Sequence, residues 1–162
     1  MIKGIMAVDE KGGISKGQSM PWPKNSTDLK WFKDSTLNNL VVMGRKTWED
    51  PLMPTPLKSR INVLATNRDN SLYSGPDFFI SGDIVRKIED IQNRYVDKDI
   101  YIIGGVEIIN LTIDIIEEFY LTRIYGNYGC EKFINISMIE KTMKMIKKID
   151  GNKSCHFEIW KK

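Results

Sequence analysis

Short apolar runs alternate with amphipathic segments along the whole chain. The apolar runs predict buried strands over residues 1–8, 39–44, 60–66, 77–81, 99–105 and 118–126. Apolar residues at helical spacing predict four helices, which begin near residues 26, 45, 82 and 106. Strands that alternate with helices indicate a mostly parallel sheet covered by helices on both faces.

The C-terminal tail carries two more strand-like runs, residues 142–150 and 155–162, joined by the segment GNKS. This arrangement predicts an antiparallel hairpin at one edge of the sheet. No internal repeat, low-complexity tract or linker interrupts the chain. We therefore expect a single α/β domain over residues 1–162, with a central, mostly parallel sheet and an antiparallel C-terminal edge hairpin.

The helix predicted near Ser26 carries an acidic residue on its apolar face. Asp28 and Phe32 are four residues apart and share a face, with Leu29 beside them. Burying a carboxylate costs free energy unless a partner compensates. Position alone favours a simpler interpretation, in which Asp28 interacts with the helix dipole and Ser26 or Thr27 caps the helix.

Two junctions between a strand and a helix have the features of an anion site. The first offers free amides, a helix dipole and cations to a phosphate group, from Gly44, Arg45, Lys46 and Thr47. At the second, Gly104–Gly105 would let a bulky cofactor lie against bare backbone. Either junction alone is a weak signal, because a glycine pair more often marks an ordinary turn, but two in one small domain favour a ligand that carries phosphate.

Composition excludes several classes of protein. A net charge of +3 and a pI of about 8.8 are too low for a typical nucleic-acid binder, and the late lysine cluster is interpreted as a solvated strand face. One histidine and two cysteines, Cys130 and Cys155, form no metal motif. The start predicts no signal peptide, and no apolar run is long enough to cross a bilayer. We expect a cytoplasmic, metal-free protein that binds neither nucleic acid nor membrane.

Several motifs, taken in order, resemble dihydrofolate reductase. They are MPW with DLKWFK, VVMGRKTWE, RINVL, IYIIGG, YLTRI and the closing HFEIWKK, and the similarity runs from about Ile5 to Lys162. The resemblance implies NADPH-dependent reduction of 7,8-dihydrofolate to tetrahydrofolate, by hydride transfer to C6 and protonation at N5. It also implies a role in one-carbon and thymidylate metabolism, and antifolate inhibitors as expected ligands.

The resemblance also implies roles for individual residues in the substrate pocket. Asp28 accepts hydrogen bonds from the 2-amino group and the N3 side of the pterin, Thr122 supports Asp28, and Trp22 holds an ordered water. These three are the implied catalytic residues. Arg60 pairs with the α-carboxylate of the glutamate tail. The complete implied substrate set is Ile5, Met6, Ala7, Asp28, Leu29, Phe32, Leu57, Arg60, Ile103 and Thr122.

For the cofactor, the resemblance implies that residues 12–22 form a mobile lid over the nicotinamide. Thr66 and Asn67 would flank the adenosine end, and the peptide bond of Gly104–Gly105 would be cis. The complete implied cofactor set is Ala7, Ile14, Ser19, Met20, Gly44, Arg45, Lys46, Thr47, Thr66, Asn67, Ile103, Gly104, Gly105, Val106, Glu107 and Ile108.

The chain departs from the family pattern at a few positions. Ser15 replaces a usual glycine in the lid, Ile109 replaces a common aromatic residue, and the segment PTPLKSR is longer than usual. The alternatives are the pyrimidine reductase of riboflavin synthesis, a non-catalytic binder of folate or NADPH, and a nucleic-acid-binding module. We expect a monomer.

Overall fold

The computed structural model describes all 162 residues, Met1–Lys162. It contains ten strands and five α-helices. In chain order they are β1 (Ile2–Val8), β2 (Gly13–Ser15), α1 (Ser26–Thr36), β3 (Leu40–Gly44), α2 (Arg45–Trp48), β4 (Ile61–Ala65), β5 (Phe78–Ile80), α3 (Ile84–Arg94), β6 (Ile100–Gly104), α4 (Val106–Thr112), β7 (Glu118–Ile124), β8 (Lys132–Phe133), α5 (Ile136–Thr142), β9 (Lys144–Asn152) and β10 (Cys155–Lys161).

Eight strands form one sheet in the order β5-β4-β3-β6-β1-β7-β10-β9. The first six of these run parallel, whereas β10 is antiparallel to both β7 and β9. The expected fold class is therefore confirmed, including the antiparallel hairpin at the edge. Because β3, β6, β1 and β7 are parallel neighbours, their carboxyl ends lie at the same edge of the sheet.

The two faces of the sheet bury different apolar clusters, as strand periodicity requires. One face holds the largest cluster, which includes Ile2 and Val8 of β1. The other face holds a smaller cluster that includes Ile5, and the partly buried Trp31 and Phe32 of α1 pack against it. Helix α1 therefore covers the face to which the odd-numbered residues of β1 point.

Three small elements were not expected from the sequence. Strands β2 and β8 form a separate two-stranded sheet, and α5 lies in a segment where the sequence predicted no helix. These elements are only two to seven residues long, too short for hydrophobic periodicity to identify them. Helix α5 also takes up Thr142, so the hairpin begins at Lys144, and its turn spans two residues rather than four.

The cap of α1 also differs from the expectation. Asn25, rather than Ser26 or Thr27, is the N-cap, and its side-chain Oδ1 accepts the backbone N–H of Asp28 at 3.1 Å. Asn25 Oδ1 also accepts a hydrogen bond from Asn152 of the edge hairpin at 3.0 Å. The cap therefore ties α1 to β9.

Among the helices, none combines the length and the apolar character that crossing a membrane requires.

Candidate active site

A cleft of about 1170 Å³ opens along the carboxyl ends of the parallel strands, bounded by α1, α2, α4 and residues 12–22. It brings together nearly all of the residues that the sequence predicted. Those that line it are Ile5, Met6, Ala7, Ile14, Ser19, Met20, Asp28, Leu29, Phe32, Gly44, Arg45, Lys46, Thr47, Leu57, Arg60, Thr66, Asn67, Ile103, Gly105, Val106, Glu107, Ile108 and Thr122.

Asp28 lies in this cleft with one side-chain hydrogen-bond partner. Thr122 Oγ1, from β7, donates to Asp28 Oδ1 at 2.7 Å, and the two residues are only 1% and 8% exposed, respectively. Burial raises the pKa of the Asp28 carboxyl, and the bond from Thr122 offsets this only in part. With no cation beside it, the carboxylate is free to pair with a ligand that carries hydrogen-bond donors.

The indole of Trp31, which also lines the cleft, is a second polar group whose hydrogen-bonding potential is not fully used within the protein. Its ring stacks on Phe157 at 4.4 Å between centroids and is tilted against Tyr120 at 5.8 Å. Its Nε1–H is buried and has no hydrogen-bond acceptor in the protein. Buried donors are normally satisfied, so this part of the cleft is suited to a polar ligand or an ordered water.

Arg60 also lines the cleft, beside the C-terminal end of α1. Its Nε donates to the carbonyl oxygen of Lys58 at 2.9 Å and its Nη1 to Thr36 Oγ1 at 3.1 Å. Both acceptors are neutral, and burial lowers the pKa of Arg60 below its ordinary value. The guanidinium is thus oriented but not neutralised, which suits a carboxylate of the ligand.

Asn62 supports the turn that presents Arg60, and sequence reasoning missed it. Its Nδ2 donates to the carbonyl oxygens of Leu57 and Arg60, at 2.9 and 3.0 Å, while its Oδ1 accepts the N–H of Leu57 at 2.8 Å. The available signal was a polar residue in the middle of an otherwise apolar strand. A buried amide there needs partners, and the adjoining turn supplies them.

On the opposite side, the glycine junctions leave backbone exposed to the cleft. The peptide bond between Gly104 and Gly105 is cis, as the resemblance implied. A Cβ built on Gly105 would find no atom nearer than Thr47 Oγ1 at 4.0 Å, so any side chain there would occupy open cleft. Gly44 is tighter, since its Cβ would lie 3.2 Å from Ile108 Cγ1.

The residues predicted to bind phosphate line the cleft, and one of them has a carboxylate partner within the protein. Lys46 and Thr47 face the cleft together with Thr66 and Asn67. The Arg45 guanidinium, however, donates from Nη1 to Glu49 Oε2 at 2.7 Å, one turn further along the chain. Arg45 therefore shares its charge with a carboxylate that would compete with a phosphate group.

Comparison with known proteins then identifies the family. A family model described as dihydrofolate reductase matches residues 1–160. The chain is 30% identical over 139 residues to the dihydrofolate reductase of Mycoplasma pneumoniae, with 84% of each chain covered. It is 32% identical over 128 residues to that of Lactococcus lactis, covering 79% of this chain and 74% of the relative.

The chain belongs to the dihydrofolate reductase family. A solved structure agrees, that of dihydrofolate reductase from Enterococcus faecalis complexed with NADP(H) and RAB-propyl. It superposes with a TM-score of 0.79 at 26% identity, covering 99% of this chain and 95% of that one. Membership confirms the predicted class of enzyme, an oxidoreductase, and NADPH as the predicted cofactor.

Residues 12–22, the predicted lid and here called the lid loop, are held by hydrogen bonds on both sides of the cleft. Ser19 Oγ donates to Asp50 Oδ1 at 2.8 Å on the side of the cleft formed by the loop after α2. On the other side, the Gly17 N–H donates to Glu131 Oε1 at 2.8 Å. Neither Asp50 nor Glu131 was predicted, because both contacts join segments far apart in the chain.

Two of the predicted site residues do not line the cleft. Trp22 is buried in a separate cluster with Ile124, Cys155 and Phe157. Gly104 is covered, since its Cβ position would lie 3.3 Å from the Met6 sulfur. Trp22 therefore supports the end of the lid loop from behind, and its implied hold on an ordered water stays a prediction.

The cleft also concentrates the net charge of the chain. Of 24 basic and 21 acidic side chains, six basic and three acidic ones line it, which leaves 18 of each sign elsewhere. Three of the basic residues were not predicted, namely Lys24, Lys33 and Lys132. A positive cleft on an otherwise balanced surface attracts anionic ligands.

Proposed function

We propose that this chain reduces 7,8-dihydrofolate to 5,6,7,8-tetrahydrofolate with NADPH, by hydride transfer to C6 and protonation at N5. The observation that supports this most directly is the buried carboxylate of Asp28, which has one hydroxyl partner and no cation. A pterin edge presents paired N–H donors that such a carboxylate can accept. Pairing would compensate the cost of burial that the protein alone leaves uncompensated.

The substrate would lie between α1 and the central strands. Leu29 and Phe32 of α1 would pack on its rings, and Ile5, Met6 and Ala7 would form the floor beside Ile103. Leu57 borders the same space. The guanidinium of Arg60, oriented by two neutral acceptors, would bind the α-carboxylate of the glutamate tail. Positioning of the reacting ring is the main catalytic task of these residues.

The cofactor side fits NADPH because its backbone is bare where a large group must approach. Gly44 and Gly105 would allow close contact, and Lys46, Thr47 and Arg45 would hold phosphates. Val106, Glu107 and Ile108 would border the diphosphate. Thr66 and Asn67 would flank the adenosine end, with Ile14, Ser19 and Met20 on the nicotinamide side. When bound, NADPH supplies the hydride.

Asp28 would assist protonation without donating the proton itself. Its carboxylate would face the edge of the ring away from N5, so we expect water to deliver the proton. A nearby negative charge favours the protonated state of the ring, which makes C6 a better acceptor. The lid loop would exclude bulk water from this step.

The test is the loss of absorbance at the NADPH band after dihydrofolate is added, with a 5-amino-pyrimidinone phosphoribosyl substrate in parallel. Rapid oxidation of NADPH with dihydrofolate, and none with the phosphoribosyl substrate, supports the proposal. Oxidation only with the phosphoribosyl substrate would instead assign the chain to pyrimidine reduction. NADPH binding with no oxidation by either substrate would indicate a non-catalytic binder. A monomeric state and a cytoplasmic location stay predictions, and sedimentation tests the first.

A further inference from the structure

A buried carboxylate outside the cleft joins the base of the lid loop to a second loop. Asp9 directly follows β1 and is 1% exposed. Its Oδ1 accepts the N–H groups of Lys11 and Gly13, both at 2.9 Å. Its Oδ2 accepts the N–H of Tyr128 at 3.1 Å and the thiol of Cys130 at 3.4 Å. Each oxygen therefore serves a different segment of the chain.

These hydrogen bonds keep Asp9 ionised although no cation forms a salt bridge with it. Burial by itself raises the pKa of a carboxyl, but the N–H donors of Tyr128, Gly13 and Lys11 outweigh it and hold the pKa of Asp9 below its usual value. Burial and the adjacent Asp9 raise the pKa of Cys130 to about 11, so the thiol stays protonated and donates. Only an ionised carboxylate accepts at both oxygens.

The segment held by Oδ2 is the one on which the lid loop rests. Beyond Cys130, the N–H of Glu131 donates to the carbonyl oxygen of Ser15 at 2.8 Å, and Glu131 Oε1 accepts the N–H of Gly17 at 2.8 Å. Strand β2 of the lid loop then pairs with β8. Asp9 thus fixes both members of this pair at their bases.

The two segments also touch without a spacer. A Cβ on Gly13 would lie 2.3 Å from Cys130 Cβ and 2.7 Å from its Sγ. Real Cβ atoms do not approach so closely, so any side chain at position 13 must separate the segments. Close packing and the shared carboxylate therefore set the same distance between the lid loop and residues 126–131.

We propose that Asp9 is a positioning residue that sets the geometry of the lid loop by holding its base and residues 126–131 in one register. This rests on the proposed function, because the loop covers a nicotinamide only if the cleft binds NADPH. An amide at position 9 has the same shape, but one of its two polar atoms is a donor and would face N–H groups on one side. One of the two segments would then be released.

The direct test is amide hydrogen exchange of the NADPH-bound protein for the parent and Asp9→Asn. We expect the amides of residues 13–19 to exchange about tenfold faster in the variant, with NADPH released faster in stopped-flow and exchange in β3 and β4 unchanged. Cys130→Ser is the matched control. It keeps a donor to Oδ2 and should leave the exchange of residues 13–19 as in the parent.

A second variant keeps the inference testable if Asp9→Asn does not fold. Gly13→Ala should separate the same two segments by steric contact and accelerate the same amides. The double variant Gly13→Ala/Cys130→Gly removes the opposing Cβ and should restore slow exchange. Unchanged exchange in both Asp9→Asn and Gly13→Ala would contradict a positioning role. Faster exchange spread evenly over the whole sheet would contradict it as well.

Activity measurements separate this inference from the proposed function. If the parent oxidises NADPH with dihydrofolate, Asp9→Asn should lower the single-turnover rate of hydride transfer more than it raises the KM for dihydrofolate. If the parent fails to oxidise NADPH, the proposed function is wrong, but the exchange experiment still decides the role of Asp9. If the parent is active and its lid amides are insensitive to Asp9→Asn, only the inference on Asp9 fails.

Discussion

The two ends of the parallel strands carry charged groups in opposite states. At the amino ends, Lys3 Nζ lies 3.0 Å from Asp99 Oδ2 and 3.4 Å from Glu118 Oε2, and its side chain is 12% exposed. It also lies over the rings of Tyr101 and Tyr120, 5.5 and 5.2 Å from their centroids. This cation has every partner it needs within the protein.

At the carboxyl ends, Asp28 has one hydroxyl partner and no cation. The pKa values reflect the contrast. Burial alone would lower the pKa of Lys3, but Asp99 and the tyrosines hold it above its ordinary value. Burial raises the pKa of Asp28, against its charged form. A charge that its neighbours satisfy stabilises the fold, whereas a charge left without a partner is available to a ligand.

The largest expected effect is on activity at the carboxyl ends. Asp28→Asn should lower kcat/KM for dihydrofolate at neutral pH about 100-fold or more, because the amide lacks the charge that pairs with the pterin and favours its protonation. Asp34→Asn, an exposed carboxylate of the same helix paired with Lys30, is the control and should stay active. An active Asp28→Asn would show that the unpaired carboxylate at the carboxyl ends is not needed for activity.

The same variant should not destabilise the protein. Because the pKa of Asp28 is raised in the folded state, that state binds the proton more tightly than the unfolded one. Its contribution to stability therefore falls as the pH rises through the folded pKa. At neutral pH, Asp28→Asn should unfold at equal or higher urea concentration than the parent. A clear loss of stability would show that Asp28 is a structural residue.

At the amino ends, the expected effect is on stability alone. Lys3→Met should lower the free energy of unfolding by about 2 kcal/mol, because it removes the largely buried cation between Asp99 and Glu118. Asp99 then keeps only the N-terminal ammonium, at 3.3 Å, and Glu118 only Lys161, at 3.8 Å. Urea unfolding measures this, and kcat per folded molecule should stay unchanged. Lys30→Met breaks only an exposed pair with Asp34 and should have almost no effect. A loss of activity in Lys3→Met would contradict the claim that charges at the amino ends contribute to stability alone.

A smaller effect is expected at Arg60, where the oriented guanidinium lacks an acidic partner. Arg60→Lys should raise the KM for dihydrofolate about tenfold with little change in kcat, since a lysine cannot bind a carboxylate in two places while held by Thr36 and Lys58. The exposed Arg94→Lys is the control. Unchanged KM in Arg60→Lys would indicate that another cation, such as Lys33, binds the glutamate tail.

The smallest effect is expected at Thr122, the sole side-chain partner of Asp28. Thr122→Val should raise the pKa of Asp28 further, because it removes the hydrogen bond that favours the ionised form. The limb of the pH profile of kcat/KM that belongs to Asp28 should move to higher pH, with about a fivefold loss of rate at neutral pH. Carbon-13 NMR of the Asp28 carboxyl would follow the same shift directly.

The position of residues in the cleft was predicted most accurately where they are close in the chain. Gly44 with the three residues after it, and Gly105 with the three residues after it, all line the cleft, and a strand that ends in glycine before a helix is visible locally in the sequence. The cap of α1 was predicted wrongly because Ser26, Thr27 and Asn25 are all suitable caps by type. Asn25 prevails in a structure where it also binds Asn152 of the edge hairpin.

The sequence by itself determined the eight strands of the main sheet, the larger helices, the glycine junctions and the unusual position of Asp28 on an apolar helix face. These follow from periodicity and from residue types a few positions apart. Only the tertiary structure decided which groups form hydrogen bonds with one another. Examples are Thr122 with Asp28, Asn62 with the turn before Arg60, and Asp9 with the base of the lid loop. Buried polar groups must find partners, and the fold, through its register and packing, brings those partners from distant parts of the chain.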